Sequence, residues 1–191
     1  MRQNVLRAMI LAALLALTGS VVLAGDEGPA WTYIEAGYLN VNPDNASGSG
    51  DNWFAGASLG FLKNFHVSGR YVNGDYADNL SQTFWTFAAG WHGLLGEKAD
   101  VVAEATWSDI EVENEGDSGV GLTGGVRWLP IKMFEADGFV HWVDYSDAGS
   151  TDSYEVRGIF NVWRLGIGAA YIFSSEANQY DAFVRFNFGR K

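Results

Sequence analysis

From Ile34 onward, apolar and polar positions alternate with a period of two in ten successive segments, centred near Ala36, Ala57, Gly69, Ala88, Glu104, Gly124, Gly138, Gly158, Ala169 and Val184. Such alternation puts successive side chains on opposite faces of a strand. One parity is apolar or glycine throughout, as in Trp53, Ala55, Ala57, Leu59 and Phe61, or Leu165, Ile167, Ala169, Tyr171 and Phe173. The other parity carries every charge within the segments: Glu35, Arg70, Glu104, Arg127, Glu135, Asp137, Glu155, Arg157, Asp181 and Arg185, with His66 and His141 beside them. A soluble β-sandwich alternates too, with an apolar face turned to a dry core. Tryptophan placement separates the alternatives. With the chain threaded up and down, Trp31, Trp91, Trp128 and Trp163 fall at one end of their segments and Trp53, Trp85, Trp107 and Trp142 at the other. A sandwich core would collect large rings at its centre, whereas a bilayer favours indoles at its two water interfaces. The pattern predicts an all-β, antiparallel up-and-down transmembrane β-barrel whose charged parity faces the lumen and whose eight Trp form an aromatic girdle. Ten strands are expected, or eight if two segments lie outside the membrane.

The connections fit that threading. The odd links, 42–52, 73–82, 110–119, 144–153 and 174–179, read as long polar loops that hold or border Asp44, Asp51, Asp75, Asp78, Asp109, Glu111, Glu113, Glu115, Asp117, Asp144, Asp147, Asp152 and Glu176. The even links, 63–64, 93–99, 129–132 and 163–164, are shorter, and Lys63, Lys98, Lys132, Arg164, Arg190 and Lys191 gather on their side. Bacterial barrels place short turns in the periplasm and longer loops outside. Closure also removes the unpaired edges that lipid cannot satisfy.

Ahead of the alternation stands a different kind of segment. Arg2 and Arg7 precede the apolar run Ala8–Leu17, and Val22-Leu23-Ala24 supplies small residues for cleavage. This reads as a signal peptide over 1–24, too short to span a bilayer, with a barrel domain over 25–191. The chain is expected to be exported to the outer membrane of a Gram-negative bacterium. Its 23 acidic against 12 basic residues leave a net charge of −11, which argues against nucleic acid as a partner. With no Cys there is no disulfide framework, thiolate metal site or thiol nucleophile. No cofactor and no metal is expected. Aromatic content of 15% beside 24 Gly suits closely spaced strands better than a helical enzyme.

Candidate chemistry is sparse. Four Arg and six carboxylates on the lumen parity can pair into a self-satisfied network or line a narrow polar path. His66-Val67-Ser68 has the His-x-Ser spacing of lipid A deacylase barrels, but His66 follows a periplasmic turn and faces inward, away from the outer leaflet where that chemistry occurs. His141 with Asp137 and Asp144 has the composition of an acidic-His protease site, yet Asp144 has the opposite parity. His92 supports no assignment. Asp109, Glu111, Glu113 and Glu115 alternate on one face as a solvated acidic rim, or as a place where calcium or magnesium bridges lipopolysaccharide phosphates; they do not fit an EF-hand loop. Gly121, Gly124 and Gly125 are followed by no Lys-Ser/Thr and open no phosphate loop.

Tyr33-Ile34-Glu35-Ala36-Gly37-Tyr38, Asn64-Phe65-His66-Val67-Ser68-Gly69-Arg70-Tyr71 and Gly124-Gly125-Val126-Arg127 resemble the small outer-membrane β-barrel family of gammaproteobacteria that includes the activator-of-immunity protein of xanthomonads, within the wider OmpA-like class. The resemblance implies export by a signal peptide and insertion by the barrel-assembly machinery, with no catalytic residue carried over. The family's last strand ends on an aromatic; here Phe188 is followed by Gly189-Arg190-Lys191. The expected role is envelope-structural or surface-interacting and non-enzymatic, with outer-membrane lipid and lipopolysaccharide as surroundings and a monomer as the state. A narrow porin-like channel is the alternative, and a lipid A-modifying or proteolytic barrel enzyme the third.

Overall fold

The computed structural model describes residues 29–44, 48–76, 80–113 and 115–188; the expected signal peptide, with Asp78, Arg190 and Lys191, lies outside the described residues. Ten strands follow one another: β1 (Tyr33–Pro43), β2 (Gly50–Phe61), β3 (Phe65–Asp75), β4 (Ser81–Leu94), β5 (Ala99–Val112), β6 (Glu115–Ile131), β7 (Phe134–Tyr145), β8 (Gly149–Val162), β9 (Leu165–Ser174) and β10 (Ala177–Asn187). Each pairs antiparallel with its neighbours in sequence, and β1 pairs with β10, so the sheet closes as an up-and-down barrel. Closure leaves no edge strand to satisfy. The alternative of eight strands is thereby set aside.

The alternation decides which face each strand turns outward. Ile34, Val120, Leu122, Val156, Ile167 and Val184 are exposed on the outer wall, while Glu35, Arg127, Glu135, Asp137, Glu155, Asp181 and Arg185 are buried within. Aromatic rings bound the outer apolar zone at both ends. At one end Tyr38 stands opposite Trp53, Tyr71 opposite Trp85, and Phe87 opposite Trp107. At the other, Phe65 stands opposite Trp91 and Phe134 opposite Phe160. Past the first rim the same outward parity turns acidic: Asp109 sits across from Trp85, Asp152 across from Trp142, and Asp144 across from Val120.

Two expectations change. The five links read as long loops shrink to 44–49, 76–80, 113–114, 146–148 and 175–176, because the strands run on past the apolar zone. In the β5–β6 hairpin Ile110 pairs with Asp117 and Val112 with Glu115, and Glu113 turns the chain at φ 51°. The alternation of Asp109 and Glu111 with Ile110 and Val112 is itself a strand pattern, and paired backbone groups are satisfied beyond the apolar zone as well as within it. The second change concerns Trp31. It is only 5% exposed and lies inside the barrel mouth instead of on the outer girdle. It precedes β1 but keeps the inward parity of Tyr33 and Glu35, which an outer-girdle placement overrides.

The interior is not wholly ionic. Leu39, Val41, Phe54, Val72, Ile159, Ala170 and Phe183 form a buried apolar cluster between β1–β3 and β8–β10. Glycines make room for its rings: a Cβ on Gly168 would lie 2.4 Å from Phe183 Cζ, and one on Gly37 2.7 Å from Phe183 Cβ. One irregularity interrupts the ladder. The β6–β7 register shifts between Trp128 and Ile131, where Pro130 has no N–H to donate.

Candidate functional site

The lumen holds a cavity, and its chemistry is set by side chains that neighbouring strands bring to one level. Glu35 on β1 is the direct register partner of Arg185 on β10. Arg185 Nε and Nη2 donate to Glu35 Oε2 at 3.0 and 2.8 Å, and its Nη1 reaches Glu135 Oε1 at 3.4 Å. Glu135 also accepts from Arg127 Nη2 at 2.5 Å and Nε at 3.2 Å. On the other side Arg157 Nη1 lies 3.7 Å from Glu35, while its Nη2 meets Glu155 at 2.5 Å. Glu155 is 3.3 Å from His141 Nε2, and His141 Nδ1 is 2.9 Å from the Thr123 hydroxyl. The contacts thus run from β6 across the barrel and return to β6. Three guanidinium groups face three hydrogen-bonded carboxylates in this circuit, and Asp137 stands as a fourth carboxyl 3.9 Å from Arg127.

Arg70 forms a separate pair with Asp181, 2.6 Å apart, and its guanidinium stacks 3.9 Å from the centre of the Phe54 ring. Arg185 lies 3.9 Å over Tyr33 in the same way. Aromatic faces therefore support the cations from the side that the carboxylates leave open.

A second chain of contacts descends toward the turn side of the barrel. His92 Nε2 is 3.1 Å from the Lys63 carbonyl, which can only accept, so that nitrogen carries hydrogen and His92 Nδ1 accepts. His66 Nδ1 then donates to His92 Nδ1 at 3.2 Å. His66 Nε2 faces Glu104 Oε1 at 2.6 Å, a link that needs one proton shared between imidazole and carboxylate. Gly90 on the intervening strand pairs with both His66 and Glu104, and a Cβ there would lie 2.5 Å from His66 Cε1. The missing side chain lets the pair meet across β4.

All the lumen-parity residues named from the sequence point inward. Asp137 alone among them makes no hydrogen bond to protein: both its oxygens are buried, and Arg127 Nε stands 3.9 Å away. A cavity of about 350 Å³ lies beside the circuit, lined by Ser68, Thr86, Thr106, Glu104, His141 and Tyr145 among others. Both nitrogens of His66 are occupied by His92 and Glu104, which leaves none to activate Ser68. Asp144 sits on the outer wall, apart from His141 and Asp137. Among the described residues no three His, Asp or Glu side chains converge as a metal ion would require.

Of the expected girdle, Trp53, Trp91, Trp107, Trp128, Trp142 and Trp163 are exposed on the outside, and Trp85 is half-buried between Tyr71 and Phe87. Asp100 and Tyr33 are interior groups that the alternation missed. Asp100 precedes the first residue assigned to its segment; extending the parity of Glu104 downward by four residues finds it.

No protein-family model and no curated protein sequence matches the chain. Among solved structures, the KdgM porin overlaps 81% of this chain and 99% of its own at 10% identity and a TM-score of 0.46. Ail, the attachment invasion locus protein of Yersinia pestis, overlaps 82% and 97% at 11% identity and 0.38. The Neisserial surface protein NspA overlaps 83% and 98% at 11% identity and 0.40. These likenesses are loose, and the ten-strand closure stands on this chain's own pairing register.

Proposed function

We propose that the chain is an integral outer-membrane β-barrel protein whose lumen is shut, with an envelope-structural or surface-interaction role and no catalytic activity. One observation carries the reading: the outer wall is apolar between two aromatic rims and turns acidic immediately beyond one of them, at Asp109, Asp144 and Asp152. Water offers no reason for that order of apolar, aromatic and acidic levels. Hydrocarbon, interface and headgroup do. The charge circuit and the apolar cluster around Phe54 and Phe183 take up much of the lumen beside its cavity and support a shut barrel.

The finer parts of this reading follow from it. The protein enters the periplasm with a cleaved leader, is inserted by the barrel-assembly machinery and works as a monomer in lipopolysaccharide-bearing membrane. Its kinship with the xanthomonad activator-of-immunity type rests on the motifs around Tyr33, Asn64 and Gly124. The acidic rim stands where divalent cations bridge lipopolysaccharide phosphates; thermal stability in such membranes is expected to rise with millimolar magnesium, and an unchanged midpoint counts against bridging.

Electrophoresis of unboiled and boiled membrane fractions tests the core claim. A folded barrel migrates anomalously and shifts on heating; recovery as a detergent-free soluble monomer overturns it. The cavity of about 350 Å³ favours the second reading, a narrow channel for small polar solutes. In a planar bilayer the shut lumen gives no discrete conductance steps, and reproducible openings select the channel.

A further inference from the structure

The segment entering β1 is packed into the barrel as tightly as the core. Pro29, Ala30 and Trp31 are all buried, although they precede the first strand. The Trp31 indole stacks on His92 with ring centres 4.0 Å apart and planes 6° from parallel. Its Nε1 donates to Asp100 Oδ2 at 2.7 Å. Arg127 covers the ring at 4.3 Å, and Ser58 Oγ donates to the Trp31 carbonyl at 2.9 Å. The wall leaves a seat for it: Gly60 has no Cβ, and one placed there would come within 2.9 Å of Trp31 Cβ.

These groups come from β2, β3, β4, β5 and β6, with His66 also 4.4 Å from the ring. The indole also lines the lumen cavity, which extends from it to Tyr145, Thr151 and Gln179 near the loop-side ends of β7, β8 and β10. We infer that Trp31 is the stopper of the lumen's turn-side mouth, a side chain that separates the inner cavity from the periplasm. A girdle Trp has one wet and one oily side; this one instead has its single donor satisfied and both faces covered. It is thus held as a plug of fixed shape, where a polar strap would admit water along its backbone. The inference rests on the reading of the barrel as membrane-spanning with a shut lumen.

Single-channel recording in potassium chloride on the full processed protein tests it. The wild type is expected to be silent, Trp31→Ala to show discrete steps as the cavity joins the mouth, and Trp31→Phe, which keeps a stacked ring, to stay silent. Gly60→Ala displaces Trp31 without altering it and is expected to leak as well; it serves where Trp31→Ala shows no heat-shifted folded band. A silent, heat-modifiable Trp31→Ala, or a silent Gly60→Ala where that is the variant that folds, overturns the stopper and leaves the shut barrel standing. A conducting wild type overturns the shut barrel itself.

Discussion

Glu35 and Arg185 are 150 residues apart in the chain and sit directly opposite each other where β1 meets β10, joined by two hydrogen bonds to a single carboxylate oxygen. Arg185 also reaches Glu135, so it holds two buried anions at once. Arg185→Met keeps most of the bulk and removes the charge, leaving Glu35 and Glu135 short of a partner. Losing one member of a buried pair costs about 3–5 kcal/mol. Urea unfolding in lipid, followed by tryptophan fluorescence, is expected to show a loss of that order, and a midpoint equal to wild type would contradict the circuit.

The outer wall makes a prediction that depends on depth. Val184 faces outward midway along β10, between Tyr180 and Phe188. Arg at the midplane of a lipid-facing wall costs about 2–4 kcal/mol, falling to about 0–1 near the interface. Val184→Arg is therefore expected to lose stability in that larger range, and Asp152→Arg, beyond the aromatic rim, to lose almost none. Equal effects at the two positions would remove the argument for a membrane belt.

Glycines divide into two kinds. Gly90 and Gly168 lie under side chains, with a new Cβ 2.5 Å from His66 and 2.4 Å from Phe183, whereas Gly124 and Gly138 face open space. Overpacking costs about 1–3 kcal/mol. Gly90→Ala and Gly168→Ala are expected to destabilise by that amount, while Gly124→Ala and Gly138→Ala remain neutral or gain slightly as the unfolded chain loses freedom. The same unfolding measurement ranks all four, and the opposite order would be a failure.

Strand number and the inward residues are legible because an apolar outer face and a charged inner one impose a strict parity from Ile34 to Phe188. Parity does not mark where a strand stops, so the acidic hairpin carrying Ile110 and Val112 has the composition of a loop. Trp31, four residues ahead of Glu35, has the inward parity too, but a girdle assigned by ring type alone sets it outside. The cluster of Leu39, Phe54, Val72 and Phe183 escaped for another reason: apolar residues on the charged parity weaken no alternation rule that counts only the outward face. Which Arg would choose which carboxylate was likewise invisible, since the pairing of Arg185 with Glu135 spans strands that are not neighbours.

The seam between first and last strands solves a problem that greasiness alone leaves open. An oily outer face is equally well served if β10 slides past β1 by two residues, because every second position is interchangeable to lipid. Such a slide would set Arg185 against Gly37 or Tyr33 and leave Glu35 with Arg157 alone, 3.7 Å away. The salt link thus acts as a vernier, picking one closure from a ladder of otherwise equivalent ones, and the polypeptide carries its own gauge for when the cylinder is correctly shut.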